Sequence, residues 1–82
     1  MSLVELTEFL VKSLANDKES VSVKEFDTDE ENTILIQVLV NNDDMGRVIG
    51  KGGKLANAIR TLVQASSYIK DNKKVRINID SF

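Results

Sequence analysis

Gly46-Arg47-Val48-Ile49-Gly50-Lys51-Gly52-Gly53-Lys54 decides how the rest of this chain is to be read. Three glycines fall within four residues, one lysine sits among them, and Arg47 and Lys54 flank the turn. A phosphate-binding P-loop needs four residues between its glycines, then Lys and Ser or Thr. Here three residues separate Gly46 from Gly50, and Gly52 follows Lys51. A dinucleotide fingerprint needs Gly or Ala three positions after its second glycine. That position is Leu55, so this reading fails as well. What remains is a turn whose bare backbone lets a ligand's own backbone approach closely. It is surrounded by cations suited to phosphate.

Outward from the turn the periodicities are clear. Upstream, Met45 to Ile49 predicts a short helix behind the loop Asn41–Asp44, with Asp44 as its N-cap. Downstream, Leu55, Ala58, Ile59, Leu62 and Val63 mark the apolar face of a helix from Lys54 to about Lys70. The glycine turn therefore joins two helices and feeds the second one's N-terminus, whose N–H groups and dipole favour phosphate. Thr33 to Val40 is rich in Ile, Leu and Val and reads as the central strand. Ser20 to Phe26 pairs with it as a hairpin through the six-residue acidic connection Asp27 to Asn32. Val75, Ile77 and Ile79 alternate with polar residues in a last strand. Ser2-Leu3-Val4-Glu5 forms a capping box before a first helix that carries Leu3, Leu6, Leu10 and Leu14, with Phe9 alongside, to about Asn16. The order is α-β-β-α-α-β, an α+β domain. The helix pair between the second and third strands is long enough for a parallel crossover, giving a three-stranded mixed sheet with helices on one face.

With this order in place, Gly50-Lys51-Gly52-Gly53 between two helices reads as the GxxG loop of a KH domain, a module that clamps about four nucleotides of single strand. Gly50, Gly52 and Gly53 supply close approach, while Arg47, Lys51 and Lys54 neutralise phosphates. Ile49, with Val48 beside it, would line an apolar floor for bases. The resemblance reaches further. Ile49-Gly50-Lys51-Gly52-Gly53 with Leu55 and Ile59 downstream resembles the KH signature, and the element order that of the type II, prokaryotic topology. Together with Ala58-Ile59-Arg60-Thr61 and Lys73-Lys74-Val75-Arg76-Ile77-Asn78-Ile79-Asp80, the chain resembles the KhpA (YlqC-like) family of small bacterial single-KH proteins over essentially its whole length.

That resemblance implies a cytoplasmic protein binding single-stranded RNA. Its implied partner is a larger Jag-type (KhpB) KH-domain protein, with homodimers as a further possibility. RNA chaperoning or post-transcriptional regulation in cell-wall homeostasis and cell-length control would follow. One departure bears on affinity: at Gly52 many relatives carry a polar or basic residue. Its loss here removes a phosphate contact, loosens the loop and implies modest affinity. The competing reading is a KH fold used to dimerise, with weak RNA binding or none.

Composition narrows the remaining classes. At 82 residues the chain fits one domain, residues 1–82. It has no Cys and no His, which excludes disulfides, thiolate chemistry and imidazole-based metal or acid–base sites. No catalytic constellation is assembled, and no enzyme activity, cofactor, metal or small-molecule substrate is expected. Asp27-Thr28-Asp29-Glu30-Glu31 lacks the Gly and the spaced carboxylates of an EF-hand and reads as a solvated turn. No apolar run approaches the roughly 20 residues of a membrane span, and Glu5, Glu8 and Lys12 break any signal peptide. Cytoplasmic location is the expectation. The net charge of −2 argues against a nucleic-acid binder, but it is unevenly distributed. Residues 1–44 carry 11 acidic and 3 basic side chains; residues 45–82 carry 2 acidic and 8 basic. The basic half begins at the glycine turn. Lys70, Lys73, Lys74 and Arg76 either extend an RNA track or are ordinary surface charge. Tyr68, Phe26 and Phe82 read as packing or dimer residues.

Overall fold

The computed structural model describes all residues from Met1 to Phe82. Helix α1 (Leu3–Leu14) begins at a complete capping box. The Ser2 hydroxyl accepts the Glu5 N–H at 3.1 Å and the Glu5 carboxylate accepts the Ser2 N–H at 3.0 Å. Such an N-cap is worth about 1 kcal/mol. The helix stops at Leu14, two residues short of the sequence expectation. There the Lys18 ammonium reaches back and donates to the Lys12 and Ala15 carbonyls at 2.7 and 2.8 Å.

Strands β1 (Ser22–Asp27) and β2 (Thr33–Val40) form the antiparallel hairpin, with Val23 opposite Val38 and Phe26 opposite Leu35. The connection is Thr28–Asn32, one residue shorter than expected because Asp27 still pairs with Ile34. Helices α2 (Met45–Ile49) and α3 (Lys54–Lys70) follow, and β3 (Lys74–Ser81) returns parallel to β2. The sheet order is β1-β2-β3, with β2 in the centre, as its apolar composition requires. All three helices lie on one face. Ile34, Ile36, Val38 and Val40 of β2 point into it and are buried with Leu3 and Val11 of α1 and Ile59 and Val63 of α3.

Two helical stripes differ from the leucine pattern. In α1 the buried positions are Leu3, Thr7 and Val11, with Leu6, Leu10 and Leu14 half-buried and Phe9 exposed. In α3 they are Ala56, Ile59, Val63 and Ser67, whereas Leu55 and Leu62 stay exposed. The small residues Ala56 and Ser67 let α3 lie close to the sheet. Phe26, Tyr68 and Phe82 do not pack into the core either: all three are exposed in the single chain.

Along its outer edge β3 is covered by side chains of α3. Gln64 accepts the Val75 N–H and donates to the Lys73 carbonyl, both at 2.9 Å. Ser67 donates to the same carbonyl at 2.7 Å, and the Arg60 Nε donates to Ile77 O at 3.3 Å. Arg60, Gln64 and Ser67 recur at i, i+4 and i+7, so one helical flank satisfies an edge that would otherwise present unpaired groups.

Candidate nucleic-acid interface

The corner between α2 and α3 is built on glycine geometry. Gly50 ends α2 at φ 75°, ψ 170°, a region essentially closed to other residues. A Cβ there would stand 2.7 Å from Leu55 Cγ and 3.0 Å from the Leu55 backbone nitrogen. Gly52 and Gly53 follow in left-handed conformation, with φ 65° and 78°. A single tight turn, Lys51–Gly53, closes onto α3, with the Gly53 N–H bonded to Gly50 O at 3.1 Å. No side chain caps α3 at this end.

Lys51 and Lys54 are exposed on either side of the turn, and Arg47 is exposed on α2. Ile49 is half-buried next to them. The structure thus brings Arg47, Ile49, Gly50, Lys51, Gly52, Gly53 and Lys54 into one corner. Val48 is different: it is fully buried in the core and cannot floor a base groove. In a five-residue helix only one of two adjacent apolar side chains can face the sheet, and it is Val48.

Asp44 holds this corner in place by a route the sequence did not suggest. It stands at the N-cap position of α2 but makes no capping bond. Only 2% exposed, its carboxylate instead accepts the backbone N–H of Asn16 at 3.0 Å and of Asp17 at 2.9 Å. The Arg47 Nε lies 3.8 Å away. Asp17 in turn accepts from Ser20 Oγ at 2.6 Å and Asn41 Nδ2 at 3.2 Å, and these bonds hold its carboxyl below the usual range. The segment after α1 is therefore stapled to the start of α2. No local pattern signals a bond between residues 27 or 28 positions apart.

The C-terminal cations divide. Arg76 points to the open face of the sheet and pairs with Glu30 at 2.7 Å. Lys70 donates to the Met1 carbonyl. Lys73 and Lys74 are exposed at the turn into β3.

The sequence pattern of the "KhpA/KhpB, KH domain" family matches residues 4–79. The chain belongs to the KhpA/KhpB KH-domain family. Within it, an RNA-binding protein KhpA of Clostridium perfringens is 47% identical over 75 residues, covering 92% of this chain and 96% of that protein. The KhpA of Listeria monocytogenes is 43% identical over 75 residues, covering 92% and 95%. That of Borreliella burgdorferi is 40% identical over 76 residues, covering 93% and 89%. Among solved structures, Era in complex with MgGDPNP and a segment of 16S ribosomal RNA superposes with a TM-score of 0.69 at 17% identity. The match covers 96% of this chain and 29% of that one. An Aquifex aeolicus Era variant bound to GDP and aluminium fluoride gives 0.70 at 16% identity, covering 98% and 30%. At such identities the likeness speaks for the KhpA/KhpB fold alone.

Proposed function

We propose that this KhpA/KhpB-family chain binds single-stranded RNA at the α2–α3 corner. The observation that carries the reading is the combination of three glycines at positive φ with Arg47, Lys51 and Lys54 exposed around them. The Gly50–Gly53 backbone holds the sugar-phosphate chain and the three cations neutralise phosphates. Ile49 supplies the apolar contact for a base. The relatives named RNA-binding protein KhpA support the same ligand. Four nucleotides carry little sequence information, so specificity is low, and a second KH surface raises avidity. The reading extends to a binder rather than an enzyme, acting in the cytoplasm. There it pairs with itself or with a larger Jag-type (KhpB) KH protein, as an RNA chaperone or post-transcriptional regulator in cell-wall homeostasis and cell-length control. No helix of the chain is long and apolar enough to cross a membrane.

One observation favours a second reading. The α1-facing flank of α3 is apolar: Leu10, Leu14, Leu55, Ala58 and Leu62 line a cleft of about 200 Å³. That surface suits a KH fold used mainly to dimerise.

The double variant Lys51→Asp with Gly52→Asp separates the two. It is expected to abolish RNA binding while circular dichroism stays native. Three phosphate contacts on a single strand also predict that log K falls with log salt at a slope of about −2. A folded double variant that binds RNA like the parent, or a slope near zero, refutes the loop site.

A further inference from the structure

The two edges of the sheet are finished differently. Along β3 the side chains of Arg60, Gln64 and Ser67 bond the outward backbone groups. β1 is the other edge, and it has no such cover. In an antiparallel pair every second residue turns its N–H and C=O away from its neighbour strand. No side chain and no loop or cap bond meets those groups in Ser22–Asp27. We propose that this edge docks an extended segment of a protein partner. The segment adds to the sheet as a fourth strand and carries Lys or Arg at alternate positions. The proposal does not depend on the RNA-binding reading of the loop.

Exposure marks the edge first. After the buried Val23, the residues Lys24, Glu25, Phe26 and Asp27 are exposed in succession. Successive strand residues face opposite sides, so this half of β1 is open on both faces as well as along its edge. An added strand there gains main-chain bonds, and the side chains beside it set which sequence fits.

Charge then selects the occupant. Glu25 pairs with Ile36 and Asp27 with Ile34, so both carboxylates lie side by side on the helix side of the sheet. Neither takes part in an ion pair, whereas Glu30 is held by Arg76. The opposite side carries Lys24 and Phe26, the latter 48% exposed beside Leu35. Directly opposed residues of an added antiparallel strand share a face with β1. The fitting segment therefore reads Lys-Val-Lys-Glu. Its lysines stand opposite Asp27 and Glu25, its valine opposite Phe26 and its glutamate opposite Lys24.

The same charges turn other occupants away. A second copy would pair β1 with itself about a two-fold axis. The registers that align more than three residues then set Lys24 against the same lysine, or Glu25 against the same glutamate, of the other copy. Like charges in direct opposition are destabilising. Phosphates are repelled too, since Asp29 and Glu31 of the adjoining turn add to Glu25 and Asp27.

The test follows backbone amide NMR signals of the isotope-labelled full chain. It is titrated with the end-capped peptide Thr-Lys-Val-Lys-Glu-Thr and with Thr-Glu-Val-Glu-Glu-Thr, which differs only in the two lysines. The lysine peptide is expected to shift Ser22–Asp27 to saturation and to slow solvent exchange at every second amide of β1. The glutamate peptide should bind about tenfold more weakly. Glu25→Lys combined with Asp27→Lys should reverse that preference. If this variant does not fold, the comparison of the two peptides on the parent chain still decides. No saturable shift in β1 at millimolar lysine peptide, or equal binding of the two peptides, overturns the proposal. So do β1 shifts that arise on concentrating the chain alone, which assign the edge to a second copy. β1 shifts on adding oligouridylate overturn it as well and assign the edge to RNA.

Discussion

Replacing Gly50 by Ala tests whether the corner is built as described. Gly50 sits at φ 75°, ψ 170°, where an L side chain costs up to about 3 kcal/mol. The added methyl would meet Leu55 Cγ at 2.7 Å, and the Leu55 backbone nitrogen and Cβ at 3.0 Å. The nitrogen cannot move without shifting the first turn of α3, so overlap adds about 1 kcal/mol or more. The sum, about 3–4 kcal/mol, is a quarter or more of the roughly 4–12 kcal/mol expected for a domain of this size. It corresponds to a fall in Tm of some tens of degrees, about 15–25 °C. Gly52 provides the comparison. Its φ of 65° carries the left-handed penalty, but nothing lies within 4 Å of its Cβ position, so Gly52→Ala should cost only about 1–2 kcal/mol. Gly46 is the control of opposite sign. It is helical, its Cβ site is empty, and Gly46→Ala should stabilise by up to about 1 kcal/mol. Urea unfolding followed by circular dichroism ranks the three. If Gly50→Ala proves no more costly than Gly52→Ala, the contact with Leu55 does not constrain the corner and the reasoning is wrong.

Two further predictions concern the staple behind the corner. Asp44→Asn replaces an acceptor oxygen by an amide N–H₂ facing a backbone donor, and leaves one partly buried N–H of Asn16 or Asp17 unpaired. It should destabilise by about 1–3 kcal/mol in the same urea assay, and an unchanged midpoint would contradict the bonding described. Asp17, held below its usual pKa by Ser20 and Asn41, binds its proton more readily unfolded than folded. Its contribution to stability is complete above the ordinary aspartate range and is lost as pH falls through the folded value. Asp17→Asn should therefore flatten the acid limb of a Tm-against-pH profile, and an unaltered limb would count against the bonds from Ser20 and Asn41.

How legible all this was from the chain varies by element. Period-2 and period-3.6 patterns gave the element order, because burial on one face writes itself directly into spacing, and the length of the two-helix crossover gave the parallel return of β3. The same patterns misassigned which residues are innermost. Thr7 is buried because its hydroxyl donates to Leu3 O at 2.7 Å, so it enters the core without an unpaired group. Ser67 does the same through the Lys73 carbonyl. Hydropathy ranks both below Leu55 and Leu62, yet close approach of helix to sheet selects small side chains, and the leucines are left outside. At the candidate site the glycines and cations were legible because their chemistry is local. Asp44 was not, since its partners come from another segment. The edge-binding flank Arg60, Gln64 and Ser67 does carry a helical period, but a polar one, which a search for apolar faces passes over.

That flank has a consequence for when the outer edge of β3 is closed. β1 and β2 are joined by a short turn, whereas Thr33 of β2 pairs with Lys74 of β3 across two intervening helices. Closing a loop of that length costs about 3 kcal/mol in chain entropy before any bond is returned. The bonds from Arg60, Gln64 and Ser67 form only once β3 has docked. The closed edge is thus a property of the completed fold, absent from any partly assembled chain.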